Sequence, residues 1–168
     1  LERHKAQKEE LEKNLVNINI PDNSILKKQL GQKIELLNHI LQQQAIEKEQ
    51  EKEAQDYLFC SEIYKKLQGR ANSARGEAYI IQEEWDSLKE LIPPAYPTFF
   101  ERLYSLHTPN ENELHVCILL KLQFRQADIA RLLQLKPESI SSIRRRLYQK
   151  VTGSKGSPEM WDKIIDSL

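Results

Sequence analysis

The chain has 168 residues with 25 basic and 25 acidic side chains, enough for one domain plus an extended element. No apolar run of about 18 residues occurs, so no membrane span is expected, and no signal peptide is recognisable. Only five glycines occur and strand-like alternation is almost absent, which predicts an all-α fold. Cys60 and Cys117 lack metal-ligand spacing, so a reducing, cytoplasmic setting is expected. The first residue is Leu rather than Met, and we expect a fragment of a longer protein.

Positive charge is concentrated near the C-terminal end of the chain. Residues 106–156 contain nine Lys and Arg against four Asp and Glu. Residues 1–105 contain 15 against 18, and residues 157–168 contain one against three. A local excess of this kind is what neutralising nucleic-acid phosphates requires, although the net charge of the whole chain is zero.

A long helix is predicted from Ser24, a plausible N-cap, to about residue 68. Its apolar stripe has nearly heptad spacing and consists of Leu26, Leu30, Ile34, Leu37 and Leu41. The polar stretch that follows, QQQAIEKEQEKEAQ, offers little to a core. We therefore interpret residues 1–68 as a coiled-coil-like dimerisation region that forms a parallel homodimer. The alternative is a hairpin in which residues 1–20 fold back on the long helix.

Residues 69–107 are predicted to be a helical connector. It begins with a loop or helix junction over 69–77, where two glycines bracket small and polar residues. A helix over about 77–92 follows, and Pro93-Pro94 should stop it. A short helix is expected after Pro97.

The last segment, 108–168, is predicted to be a four-helix DNA-binding domain. Residues 125–150 read RQADIARLLQLKPESISSIRRRLYQK, which indicates a short helix, a tight turn and a second helix with three consecutive arginines. Pro137 suits the first turn of that second helix. Its core face is predicted to contain Ile140, Ile143, Leu147 and Val151. A helix-turn-helix of this kind lays its second helix in the DNA major groove.

The stretch from Asn110 to Val151 resembles the LuxR/GerE family of DNA-binding domains, a pattern shared by the C-terminal domain of sigma factors. The opening cap and Glu of that family correspond to Asn110 and Glu113, before the apolar helix LHVCILLKL. Gln123 stands where the family usually has Gly, so we expect a differently shaped first turn. The remaining matches are Ile129, Ala130 and Leu133 on the scaffold helix, Ser139 and Ile140 at the start of the recognition helix, and Lys150 and Val151 at its end.

The resemblance covers about a quarter of the chain and implies DNA binding. Ser141 stands where many members carry Lys, so the sequence preference of the family is not transferred. More loosely, a charged helical segment before this domain resembles the cytoplasmic C-terminal part of Bacteroidetes transcriptional regulators that carry tetratricopeptide repeats and a membrane span upstream. An upstream sensor region of the same polypeptide is therefore an expected partner.

Helical phase divides the polar residues of the second helix into two groups. Those opposite the core face are expected to meet base edges, namely Glu138, Ser141, Ser142, Arg145 and Gln149. Those on the flanks or at helix starts are expected to meet phosphates, namely Arg125, Lys136, Ser139, Arg144, Arg146 and Lys150.

No enzymatic constellation is recognised, so no catalytic residue, cofactor or metal is predicted. His39 lies on the long helix, but Ile40 and Leu41 replace the acidic residue and Arg that follow the phosphoacceptor histidine of sensor kinases. The prediction is a sequence-specific transcriptional regulator that binds double-stranded DNA, with N-terminal helices for dimerisation or signal transmission. The alternative is an interaction or adaptor module that binds a protein such as RNA polymerase and does not bind DNA.

Overall fold

A computed structural model describes residues 2–17, 24–73 and 79–168. The regular structure of these residues is entirely helical, which confirms the all-α prediction. The helices are α1 (Glu2–Asn17), α2 (Ser24–Cys60), α3 (Glu62–Asn72), α4 (Gln82–Ala95), α5 (Phe99–Leu106), α6 (Glu111–Lys121), α7 (Gln126–Leu132), α8 (Pro137–Thr152) and α9 (Pro158–Ser167). None of these described helices has an apolar stretch that could cross a membrane.

The chain divides into two compact units, 1–52 and 53–168, and the division falls within α2. In the first unit, α1 lies antiparallel to α2. The Nε2 atom of Gln44 lies 3.4 Å from Nδ1 of His4, and a cavity of about 410 Å³ between the helices is lined by residues that include Leu11 and Leu37. The hairpin alternative is therefore the arrangement within one chain.

The hairpin partly covers the apolar stripe that was assigned to dimerisation. Leu30, Ile34, Leu37 and Leu41 are half-buried, while Leu26 remains 39% exposed. A parallel dimer that pairs these residues with their copies would require α1 to leave this face. Dimerisation through this stripe therefore stays a prediction, and within one chain the stripe lies beside α1.

The predicted helix over 24–68 is interrupted at Ser61. The hydroxyl of Ser61 accepts a hydrogen bond from the backbone N–H of Tyr64 at 3.3 Å, which makes it the N-cap of α3. A serine side chain that bonds to nearby backbone groups offers an alternative to helical continuation. Helix α3 then runs through Gly69, so the predicted break at 69 is wrong, while residues 74–78 of that segment lie outside the described residues.

Helix α4 contains the two prolines that were predicted to stop it. Pro93 and Pro94 lie in its last turn, and the helix ends at Ala95. The N–H of Tyr96 donates to the carbonyl of Ile92 at 2.7 Å, so the turn that includes the prolines still closes. A proline removes only the hydrogen bond that its own nitrogen would donate. The helix therefore continues through Pro93 and Pro94 and ends a few residues later than predicted.

The second unit has one hydrophobic core, shared by α3 to α9 and the end of α2. Helix α8 packs on α7 and α9, and α6 contacts all three. Helix α3 packs against α7, where the guanidinium of Arg131 donates to the carbonyls of Ala71 and Ser73. The C-terminal end of α9 is held similarly, since Lys121 Nζ donates to the carbonyl of Ile165 at 3.2 Å. The α7–α8 pair is thus supported on several sides.

Candidate nucleic-acid interface

The turn between α7 and α8 is closed by backbone hydrogen bonds around a left-handed residue. Gln134 has φ 53°, its N–H donates to the carbonyl of Arg131, and the N–H of Leu135 donates to the carbonyl of Ala130 at 2.8 Å. This pattern is a Schellman motif with Gln in the position that Gly usually takes. Pro137 then begins α8.

The same motif ends α6, contrary to the expectation for Gln123. Gln123 itself adopts φ 63°, its N–H donates to the carbonyl of Leu120, and the N–H of Phe124 donates to the carbonyl of Leu119 at 3.0 Å. The buried side chain of Phe124 anchors the end of the motif in the core. The turn therefore keeps its left-handed shape without Gly, because tertiary packing and two hydrogen bonds offset the local cost.

Helix α8 has a buried side and an exposed side, as its periodicity predicted. Ile140, Ile143 and Leu147 are buried. Of the residues assigned to base edges, four are exposed, namely Glu138, Ser142, Arg145 and Gln149. The fifth, Ser141, is half-buried, and its hydroxyl accepts a hydrogen bond from Nε2 of Gln126 at 2.7 Å.

Several residues assigned to phosphates lie on the surface around the exposed side of α8. Arg125, Lys136 and Arg146 are exposed, and Ser139 is half-buried. Arg125 also pairs with Asp128 at 2.8 Å, which raises the pKa of its guanidinium further. A shallow cleft of about 540 Å³ runs along the start of α8 and is lined by Asn112, Leu135, Glu138, Ser139, Ser142, Ile143 and Arg146.

Arg144 is not at the surface, and its assignment to a phosphate contact is wrong in this structure. Its side chain is only 5% exposed and forms a bidentate ion pair with Asp162 of α9, with Nε to Oδ1 at 2.8 Å. Its third nitrogen donates to Oε1 of Gln126 at 2.7 Å. Helical phase placed Arg144 on a flank, but α9 covers that flank, so the residue joins α8 to both α7 and α9.

Lys150 is half-exposed, yet its ammonium is already paired. Its Nζ lies 2.8 Å from Oε1 of Glu113, which is buried and completes the predicted capping box with Asn110. Burial alone would raise the pKa of Glu113, but hydrogen bonds from Lys150, the Asn110 backbone and His107 outweigh it and lower that pKa. A phosphate contact by Lys150 would therefore compete with an existing ion pair.

Sequence reasoning missed Gln126 and Asp162. Gln126 is the first residue of α7 and bonds to Pro137, Ser141 and Arg144 of α8. These contacts depend on how two helices cross, and no local pattern in the sequence encodes a crossing angle. The one signal in the sequence was that Gln126 lies at a predicted helix start, where backbone N–H groups lack partners within the helix and polar side chains often form hydrogen bonds.

No group of three His, Cys, Asp or Glu side chains that could hold a metal occurs within 2–17, 24–73 and 79–168. Cys117 is buried, and burial raises the pKa of its thiol to about 12.

Comparison with family models, curated proteins and solved structures found no match. The geometry of the α7–α8 surface therefore carries the functional assignment.

Proposed function

We propose that this chain is a sequence-specific DNA-binding transcriptional regulator whose α8 enters the major groove, with α6 to α9 forming a helix-turn-helix domain of the LuxR/GerE type. The observation that carries the proposal is the division of α8 into a buried apolar side and an exposed polar side that bears Arg145 and Arg146. Helix α7 and the four residues after it hold α8 as the scaffold helix and turn of such a motif do.

The proposed base contacts are Arg145, Gln149, Ser142 and Glu138, with Ser141 at the edge of the groove. An exposed guanidinium can bond bidentately to guanine, and a Gln amide can do the same to adenine. Exposed Arg146, Lys136 and Arg125 would contact phosphates and set the register of the helix on the duplex. Such a role implies work in the cytoplasm of a bacterial cell, where the chromosome lies.

The N-terminal hairpin would serve dimerisation or signal transmission. None of its described side chains is buried, and Ile25, Leu36 and Ile46 remain 74%, 61% and 55% exposed. Two antiparallel helices cannot bury an apolar stripe completely, so association with a second copy would remove more of this surface from water. Sedimentation equilibrium tests this part, since a chain that is monomeric at tens of micromolar would contradict it.

Competition binding tests the proposal of sequence-specific DNA binding. Two duplexes of equal length compete for each protein variant, one selected by the wild-type chain and one of random sequence. The variants are Arg145→Ala and the matched control Lys155→Ala, which alters an exposed residue beyond α8. Losing a guanine contact should cost about 1–3 kcal/mol on the selected duplex and much less on random DNA. Equal losses on both duplexes would move Arg145 to the phosphate contacts. A chain that binds neither duplex would favour the adaptor alternative.

A further inference from the structure

A chain of hydrogen bonds links α9, α8 and α7 and ends at Ser141 on the groove side of α8. Asp162 binds Arg144, Arg144 donates to Oε1 of Gln126 at 2.7 Å, and Nε2 of Gln126 donates to Oγ of Ser141 at 2.7 Å. The second Nε2 hydrogen is directed to the carbonyl of Pro137 at 2.9 Å. We call this chain, Asp162–Arg144–Gln126–Ser141, the relay.

The relay has only one possible polarity. A guanidinium donates hydrogen bonds and cannot accept them, so the atom of Gln126 that faces Arg144 must be its oxygen. The amide nitrogen must then face Ser141, and an amide nitrogen can only donate. The oxygen of Ser141 is therefore an acceptor inside the protein, and its own hydrogen has to point elsewhere.

That hydrogen has no acceptor among the described residues. The usual acceptor for a helical serine is the carbonyl four residues earlier, which here belongs to Pro137; that carbonyl accepts from Gln126, and the hydroxyl of Ser141 makes no hydrogen bond to it. The next serine behaves in the opposite way, because the hydroxyl of Ser142 donates to the carbonyl of Glu138 at 2.8 Å. The hydroxyl hydrogen of Ser142 is therefore used within the helix, whereas that of Ser141 remains for an acceptor outside the described residues.

We infer that the relay leaves the hydroxyl hydrogen of Ser141 free to donate to a base edge in the major groove, so that Gln126 sets sequence preference without touching DNA. This inference rests on the proposed function. Guanine and thymine present acceptors there, O6 and N7 or O4, whereas the cytosine amino group is a donor. Ser141 therefore favours guanine or thymine over cytosine at the position it meets, and Gln126 acts as a positioning residue.

Reversing the polarity tests the inference. In Gln126→Glu both side-chain oxygens accept, so one still pairs with Arg144 and the other accepts the hydroxyl hydrogen of Ser141. The oxygen of Ser141 then faces the groove as an acceptor, and the preference at that position should turn toward cytosine. One neutral hydrogen bond corresponds to roughly a 3- to 10-fold preference.

The experiment selects bound sequences from a double-stranded library with 20 randomised base pairs, using the full chain. The wild type should enrich a motif containing one position with guanine or thymine favoured over cytosine. Ser141→Ala should flatten that position alone, Gln126→Glu should reverse it, and Gln126→Ala should weaken it without reversal. Ser142→Ala is the matched control and should leave that position unchanged. Thermal unfolding followed by circular dichroism confirms that each variant is folded.

The outcomes separate the inference from the function on which it rests. A wild-type motif that survives Ser141→Ala and Gln126→Ala unchanged at every position would overturn the inference and leave DNA binding standing. A folded Gln126→Glu chain with the wild-type preference would also overturn it. A wild-type chain that enriches no motif would contradict the proposed function itself, and the inference would fall with it.

Discussion

The two units of this chain bury their apolar residues to very different extents. In the hairpin, residues 2–17 and 24–52, no described side chain is buried. In the unit from 53 to 168, Leu, Ile and aromatic side chains form one core, and Leu88, Phe99 and Trp161 are fully inaccessible to water. The second unit therefore has what it needs to fix α8 in place, while the hairpin retains apolar surface that a partner could cover.

Replacing one leucine by alanine in each unit should give the largest difference in the free energy of unfolding. Leu88→Ala removes a fully buried side chain and should lower the free energy of unfolding by about 3–4 kcal/mol, because lost burial and a cavity add. Leu37→Ala removes a half-buried side chain of the hairpin and should cost about 1 kcal/mol or less. Urea unfolding followed by circular dichroism measures both. Equal losses would show that the hairpin has a core of its own, formed within or between chains.

Alanine substitutions of two adjacent arginines of α8 should differ almost as much in their effect on stability. Arg144→Ala leaves Asp162 and Gln126 without their partner and should destabilise the second unit by about 3 kcal/mol. Arg145→Ala removes an exposed side chain and should change stability by about 0.5 kcal/mol or less. Thermal unfolding of the two variants gives the comparison. A stable Arg144→Ala chain would mean that α9 does not depend on this ion pair to pack on α8.

Acid should weaken the second unit through Glu84. Burial alone would raise the pKa of Glu84, but hydrogen bonds from Arg70, Lys66 and the Ile81 N–H outweigh it and lower that pKa to about 2. A lowered pKa in the folded state contributes stability above the ordinary value of 4.5, and this is lost as the pH falls from about 5 to 2. The contribution should be roughly 2–3 kcal/mol.

Glu84→Gln tests this acid dependence against a matched change in the hairpin. Unfolding free energies measured between pH 6 and pH 3 should fall less steeply for Glu84→Gln than for the wild type. Glu12→Gln alters an exposed pair, in which Lys8 lies 3.7 Å from Glu12, and should leave the slope unchanged. Parallel curves for wild type and Glu84→Gln would show that this carboxylate is not responsible.

Replacing a glutamine by glycine should have the smallest effect on stability. The substitution should stabilise one unit and destabilise the other. Gln123→Gly relieves a left-handed backbone at φ 63° and should stabilise the chain by about 0.5–1 kcal/mol. Gln32→Gly, at an exposed position within α2 of the hairpin, should destabilise by about 1 kcal/mol or less. Melting temperatures of the two variants measure the sign. A destabilised Gln123→Gly chain would mean that contacts of the glutamine side chain outweigh the backbone cost.

Patterns in the sequence predicted the features that depend on residues close together in the chain. The spacing of Ile140, Ile143 and Leu147 identified the buried side of α8, and the pair Asn110 and Glu113 identified the cap of α6. Both features are complete within one or two helical turns. Composition was likewise sufficient for the all-α class, since helix formers dominate and strand-like alternation is rare.

Features that depend on helix crossing were not predicted. Arg144 is the first of three consecutive arginines, and nothing local distinguishes it as the one that α9 covers. Gln126 has its partners 11 to 18 residues away, on another helix. The end of α2 was misplaced because Ser61 is one polar residue in a long helical pattern, and its capping role appears only when the backbone turns.

The salt dependence of DNA binding tests the central claim most directly. Fluorescence anisotropy with a labelled duplex should give an affinity that falls steeply with salt, with a logarithmic slope of about −3 per protomer if Arg125, Lys136 and Arg146 contact phosphates. Arg146→Ala should reduce the magnitude of that slope by about 1, whereas the matched variant Lys163→Ala on α9 should not. Absent binding, or an affinity that does not change with salt, would contradict the assignment of α8 to the DNA groove.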